Sequence, residues 1–454
     1  MEQNYDVLII GGGASGSALA YTLSKYTDIS KIALVEKYAE PGLVNSNAVN
    51  NSQTLHVGDI ETNYSVEKAS QVKPAAMMVA QYVENLPAAE QNEIMQRVQK
   101  MILAVGDAEV AALADRFEKI NKLFPTLQKI DAQKIAEHEP KIMQGRNPKE
   151  SVLALFDPKG YAINFGELAK SFITNSSRVN TFFNRAVTRI EKTAAGYTIH
   201  TATGNLTARV VIVDTDAYSL GFAKSLGYGK EFSLIPIAGS FYFADEVLHG
   251  KVYTMQDPRM PFAAAHGDPD VTVPGKTRFG PTARFFPVLE SRRMNTMKDF
   301  FKSAGLEKAK TWLSFFHILL EPVRFKYLIK NITFELPYLG EYLFVYEVKK
   351  IIPTLRGGDL KRAVGFGGMR LQRVDTNTRE LLLGEGKILG DHIIFNMTPS
   401  PGASVCLYNA MRDAENIIAF FGTEFRFDKP SMTHDLLKDA PCPGADVSAK
   451  TYVS

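Results

Sequence analysis

The sequence predicts an α/β protein: a Rossmann-like domain, a second substrate-facing domain on a mixed sheet, and helical insertions. Three observations predict it. Tyr5 to Ile10 reads as a short buried strand, Gly11-Gly12-Gly13-Ala14-Ser15-Gly16 as a tight turn, and Ser17 to Tyr26 as a helix with small and apolar residues at helical spacing. A second strand, Lys31 to Val35, runs directly into the acid Glu36. Much later, Ala186 to Glu191, Gly196 to Thr201 and Leu206 to Asp214 form a three-strand meander separated by turns at residues 194–196 and 203–205.

The opening strand, turn and helix have the order that holds a pyrophosphate. Gly11 makes the tight turn, Gly13 lets the backbone approach phosphate, and Gly16 lets the helix pack on the strand. The free N–H groups at the start of that helix, from Ala14 and Ser15 on, then face the anion. Glu36 stands where an acid accepts hydrogen bonds from adenosine ribose hydroxyls, which argues against a 2′-phosphate. By itself this turn suits NAD or FAD.

The 454 residues, 45% hydrophobic and 22% charged, suffice for two domains or one large domain with an excursion. A net charge of +3 without a long basic run excludes nucleic acid as a partner class. Cys406 and Cys442 cannot build a disulfide framework and have no zinc spacing, so no metal site is expected and both read as reduced cytosolic thiols. No basic n-region precedes the first apolar stretch, so it reads as a strand rather than a signal peptide. No run of about 18 apolar residues offers a membrane span.

After Glu36 comes an amide-rich stretch, Asn45 to His56, readable as a surface loop or as a loop laid along an extended cofactor. From Pro74 to Glu139 the pattern is helical: Met95, Val98 and Ile102, then Leu113, Phe117, Ile120 and Phe124, follow helical spacing. A βαβ unit followed by a meander is the layout of large FAD-binding domains. Residues 231–290 read as strands of a second sheet and 295–353 as helices. In Thr311 to Ile332 aromatic and basic residues mix. That segment is either a buried helix pair or an interfacial surface, with Trp312, Phe315, Phe316 and Leu319 (within Trp312 to Leu320) in lipid and Arg324, Lys326 and Lys330 near headgroups. A second loop-to-helix site, Ser400-Pro401-Gly402-Ala403-Ser404 before Leu407 to Phe421, suits the electron-rich edge of a flavin. The expected division is a discontinuous FAD domain at 1–75, 151–228 and 356–428. A helical insertion at 76–150, a substrate domain at 229–355 and a peripheral tail at 429–454 complete it.

Assembled, these motifs resemble the malate:quinone oxidoreductases, FAD enzymes in the fold group of D-amino-acid oxidase. The resemblance spans nearly the whole chain. It rests on Gly11 to Gly16 with Glu36, Ser46-Asn47 to Asn50-Asn51 to His56, Glu61-Thr62-Asn63-Tyr64, Asn164-Phe165-Gly166-Glu167, Phe279-Gly280-Pro281, Gly368 to Gln372 and Ser400 to Ser404. The asparagine loop followed by Glu-Thr-Asn-Tyr is its most specific part. The sequence departs from relatives at Asp214-Thr215-Asp216-Ala217 and at Ser52-Gln53-Thr54-Leu55.

The resemblance implies a domain of the glutathione-reductase-2 type and oxidation of (S)-malate to oxaloacetate, with electrons passing through FAD to membrane quinone. A related 2-hydroxyacid oxidase, for instance of L-2-hydroxyglutarate, is the alternative, and a non-catalytic FAD-binding protein belongs to a different class. It implies cofactor contacts from Gly11, Gly13, Ala14, Ser15, Gly16, Glu36, Lys37, Ser46, Asn47, Asn51, Gln53, Thr54 and Val187, and from Ser400, Pro401, Gly402, Ala403 and Ser404. His266 is the expected base, since its ordinary pKa of about 6.5 suits proton transfer near neutrality, with His56 the competitor. Arg370 is expected to bind a substrate carboxylate bidentately, with Arg278 second. The expected location is the cytoplasmic face of the inner membrane, held peripherally, with no obligate protein partner.

Overall fold

The computed structural model describes residues 3–256, 264–382, 385–397, 402–438 and 450–453. The strand β1 (Gln3–Ile10), helix α1 (Ala14–Tyr26) and strand β2 (Ile32–Val35) stand where their patterns place them. β1 pairs in parallel with β2 on one side and with Gly204–Val213 on the other. β2 continues to Val179–Phe182, and Gly204–Val213 continues to Ile393–Met397, all parallel. Val7, Leu8, Ile9 and Ala33 to Val35 are buried on both faces, which is why these strands read as unbroken apolar runs. The meander Val187–Thr193, Gly196–Thr201 and Gly204–Val213 joins this sheet antiparallel. Lys450–Val453 pairs with Gly386–Gly390 at its edge, and Met432, Leu436 and Leu437 of the preceding helix are buried. The described parts of the tail, 429–438 and 450–453, are thus packed against or paired with the nucleotide-side sheet, where a peripheral segment was expected.

Two further sheets are formed by the described residues. One orders Arg284–Phe285, Phe232–Ala238, Met369–Asp375 and Glu380–Leu382. The other has eight strands, with Lys251–Thr254, His266–Pro269 and Lys276–Gly280 at its middle. Met95–Val105 and Val152–Ile163 extend it. Residues 95–105 thus form a strand, correcting the helical reading of the 76–150 excursion. Met101, Ile102, Leu103 and Ala104 are buried in succession, which suits a strand covered on both faces, whereas a surface helix would expose one of them. The helices Val66–Glu84 and Asp107–Ile120 flank it as expected.

Candidate active site

A cavity of about 850 Å³ opens at the C-terminal ends of β1 and β2, and its lining includes both Gly11 and Arg370. In open α/β sheets this is where ligands sit. A Cβ on Gly16 would lie 2.0 Å from Gly11 O, and one on Gly11, whose φ is +110°, 2.3 Å from Asp214 O, so both positions demand glycine. A Cβ on Gly13 would meet only Ser46 Oγ at 3.5 Å, because that face looks into the cavity. Gly13 caps α1 without a side-chain hydrogen bond, and among the first N–H groups that of Ala14 donates to Ser46 Oγ at 2.9 Å. These features fit the pyrophosphate of an extended dinucleotide.

Next to the turn, Glu36 lines the cavity and accepts from Gly12 N at 2.7 Å and Tyr38 N at 2.9 Å, one bond to each carboxylate oxygen. Lys37 and Val187 also line the cavity; Lys37 is paired with Glu290 and lies over the Tyr218 ring. Asp216, held by Asn45 Nδ2 at 2.7 Å, is pushed up to about 6 by burial. Ala403 and Ser404 line the far side, Gly402 is buried behind them, and Ser400 and Pro401 lie outside the described residues.

The asparagine loop does run along this cavity. Asn51 ties the loop to itself through three carbonyls, and Ser46, Asn51 and Thr54 reach the wall. Two expected contacts do not. Asn47 is absent from the wall and caps the short turn after it by accepting from Val49 N, and Gln53 is fully buried, turned away to Ala48 O, Asp270 and Val271 N.

His56 also lines the cavity, its Nδ1 on Glu61 Oε1 and its Nε2 3.1 Å from Ser52 Oγ. Burial alone would raise Glu61, but the hydrogen bond with His56, together with the nearby Lys100, brings it below the ordinary carboxylate value. An ionised Glu61 fixes the proton on Nδ1 and leaves Nε2 as the basic nitrogen. Arg116 clamps the loop that carries Glu61 through Glu61 O at 2.7 Å and Tyr64 O at 2.9 Å.

Arg370 is half-buried and borders the cavity. No carboxylate pairs with it among the described residues; burial lowers its pKa, and the phenols near it, those of Tyr327, Tyr253 and Tyr64, are held neutral by burial. A sheltered guanidinium without an anion is a ready carboxylate receptor.

His266 and Arg278 stand elsewhere. Both are buried, 2% and 0% exposed, and neither borders the cavity. They lie behind the wall with Asp268, Asp270 and Lys251; burial first, and then Arg278 and Lys251, push His266 down to about 3. The expectation that these two side chains touch substrate is corrected by that placement. Strand sequence alone does not say which face of a sheet meets a cavity. Ser52, Glu61, Arg116 and Tyr253 carried no such signal either, except that Glu61 belonged to the Glu-Thr-Asn-Tyr motif.

A sequence model described as malate:quinone oxidoreductase (Mqo) matches residues 3–414. The malate:quinone oxidoreductase of Helicobacter pylori strain J99 is 40% identical over 445 residues, covering 94% of this chain and 97% of the relative. A probable malate:quinone oxidoreductase of Campylobacter jejuni is 41% identical over 443 residues, covering 94% and 98%. Among solved structures, L-α-glycerophosphate oxidase from Mycoplasma pneumoniae, with FAD bound, superposes at a TM-score of 0.62 with 17% identity, covering 92% of this chain and 95% of that one. Glycine oxidase from Geobacillus kaustophilus gives 0.63 with 14% identity, covering 93% and 97%.

Proposed function

The chain belongs to the malate:quinone oxidoreductase family, and we propose from that premise how its own residues serve the oxidation of malate to oxaloacetate with a quinone as acceptor. One observation carries the reading: one cavity is lined by the cradle residues Gly11 to Ser15, by His56 and by Arg370, which pairs with no carboxylate among the described residues. FAD fits the first part: Gly13, Ala14, Ser15, Glu36, Ser46 and Thr54 would hold it, and when bound it would supply the two-electron acceptor between malate and quinone.

Arg370 receives a malate carboxylate through paired N–H donors and so fixes C2 and its hydroxyl in one orientation. His56 Nε2 takes the proton of that hydroxyl as the C2–H bond breaks, the substrate hydroxyl displacing Ser52 Oγ. Glu61 holds Nδ1–H and stabilises the imidazolium that forms. The base is thus assigned to His56 in place of His266.

Among the described residues, no helix is long and apolar enough to cross a membrane. The helices Ala309–Leu319, Pro322–Phe334 and Leu339–Val348 nevertheless expose Trp312, Leu313, Phe316, Phe325, Ile329, Ile332 and Tyr346. Pro322–Phe334 buries Leu328, Asn331 and Phe334, and Asn331 and the capping Glu335 bond the cavity-wall segment at Ala283 N and Thr282 Oγ1. Its outer side carries Phe325, Ile329 and Ile332 between the exposed Lys326 and Lys330. Such a helix suits an apolar medium, and Lys326 and Lys330 stand exposed to meet headgroups. Phe315, expected in lipid, is buried instead. The protein accordingly docks peripherally on the cytoplasmic face of the membrane that carries its quinone. The test is anaerobic reduction of the bound flavin by a panel of 2-hydroxyacids. Malate should bleach it without NAD; bleaching by 2-hydroxyglutarate alone would overturn the substrate assignment.

A further inference from the structure

His56 owes its place to Ser52, and Ser52 is held from behind the cavity wall. Its carbonyl oxygen accepts from Thr54 Oγ1 at 3.0 Å and from Lys251 Nζ at 3.2 Å. The Thr54 hydroxyl, its own proton spent on Ser52 O, accepts from Tyr253 OH at 2.6 Å. The residue between them, Gln53, has φ +51°, a left-handed conformation that a side chain of this kind rarely adopts. Such a kink persists only where its surroundings over-determine it. Asp270 Oδ2 accepts from Gln53 Nε2 at 3.3 Å, and Val271 N donates to Gln53 Oε1 at 3.1 Å.

The grip is rigid because it grows from adjacent strands. Tyr253 pairs with His266 across one strand boundary and Asp268 with Arg278 across the next. Lys251, Asp268 and Arg278 consequently form one cross-strand row, with Lys251 3.3 Å and Arg278 3.1 Å from Asp268 Oδ2, and Arg278 3.2 Å from Asp270 Oδ2. Two basic side chains thus stand against two carboxylates in a buried place, each within reach of an opposite partner. The neutral His266 ring stacks on Tyr253 at 4.8 Å and sets the plane of its phenol. On its other side, Arg278 lies 4.3 Å from the ring centre of Phe241, a residue of the cavity wall.

We propose that Tyr253 and Lys251 are positioning residues for the oxidation step: through Thr54 and Ser52 they hold the kinked 52–56 segment so that His56 Nε2 meets the substrate hydroxyl. The inference rests on His56 as the base. It gives a purpose to the buried charges around His266 and Arg278, which touch no substrate.

Tyr253→Phe tests it with the least disturbance, since only the hydroxyl is lost. The variant should bind FAD with an unchanged visible spectrum, melt close to the parent and keep its malate KM within about twofold. Its kcat with a water-soluble dye acceptor should fall about fivefold to tenfold, as for one lost positioning hydrogen bond. The acid limb of its kcat–pH profile should also move, because the donor set around His56 changes. Thr54→Val breaks the same chain one link nearer, so Tyr253→Phe added to it should cost nothing more. Parental kcat and pH profile in Tyr253→Phe, a lower melting temperature with an unmoved profile, or full additivity in the double variant would each overturn the proposal. His56→Gln separates the two readings. If it retains parental kcat, the base assignment fails; if it is inactive while Tyr253→Phe is unaffected, only the positioning role fails.

Discussion

Ser52 Oγ lies 3.1 Å from His56 Nε2, on the side of the ring opposite the Nδ1 that meets Glu61. A hydroxyl from the protein therefore stands where the hydroxyl of a substrate would need to be. The site is arranged for an alcohol proton before any substrate arrives.

Replacing His56 by Gln keeps a polar side chain and removes the base. The kcat for malate-dependent dye reduction should fall about 10²- to 10⁴-fold, the usual worth of a general base, with KM changed little. Glu61→Gln should lose less, because it disturbs the tautomer and leaves the ring in place. Steady-state kinetics with intact flavin content checks both.

Arg370→Ala should raise the malate KM by about thirtyfold or more, as expected for a charge-assisted bidentate contact. Arg370→Lys should recover only part of this, since an ammonium lacks the planar fork. A KM near the parent's in Arg370→Ala would place the carboxylate elsewhere.

Phe316 and Ile329 are 56% and 47% exposed on the helical face. Phe316→Glu with Ile329→Glu should weaken binding to anionic quinone-containing vesicles at least tenfold, each apolar side chain being worth about 1.5–3 kcal/mol when buried. Malate-dependent reduction of a soluble dye should stay at the parental rate. Flotation assays beside dye kinetics measure the two separately; losing both together would make this face structural.

His266 makes stability depend on pH. Burial holds its folded pKa at about 3, below the ordinary value near 6.5, so the unfolded chain binds the extra proton between those limits. Stability contributed by the neutral ring is fully present above about pH 6.5 and is lost as pH falls toward 3, at up to about 1.4 kcal/mol per pH unit. His266→Gln should flatten this acid-side loss. Denaturation midpoints at pH 7 and pH 5 would show it, and equal slopes for parent and variant would contradict it.

The glycine turn and Glu36 were readable because backbone geometry and spacing define them within one βαβ unit. Arg370, picked by residue type at the end of a glycine-rich segment, does border the cavity. The strand Met95–Val105 was not readable, because Met95, Val98 and Ile102 mimic a helical stripe and the strand's partners, Lys251–Thr254 among them, lie far along the chain. His266 and Arg278 were misplaced for a related reason. Residue chemistry named them, while register decides the facing: pairing Tyr253 with His266 and Asp268 with Arg278 turns the whole row toward the back of the wall.

Met95–Val105 also bears on how this protein can be taken apart. It sits between Val152–Ile163 and Lys251–Thr254, so the excursion from the nucleotide half is woven into the middle of the eight-stranded sheet. A chimera that exchanged residues 76–150 with a relative as a self-contained cassette would replace one plank in a sheet and leave its neighbours to match by chance. Exchange should succeed only when 95–105, 152–163 and 251–254 travel together, which makes the two halves one unit of inheritance despite their separate chemistry.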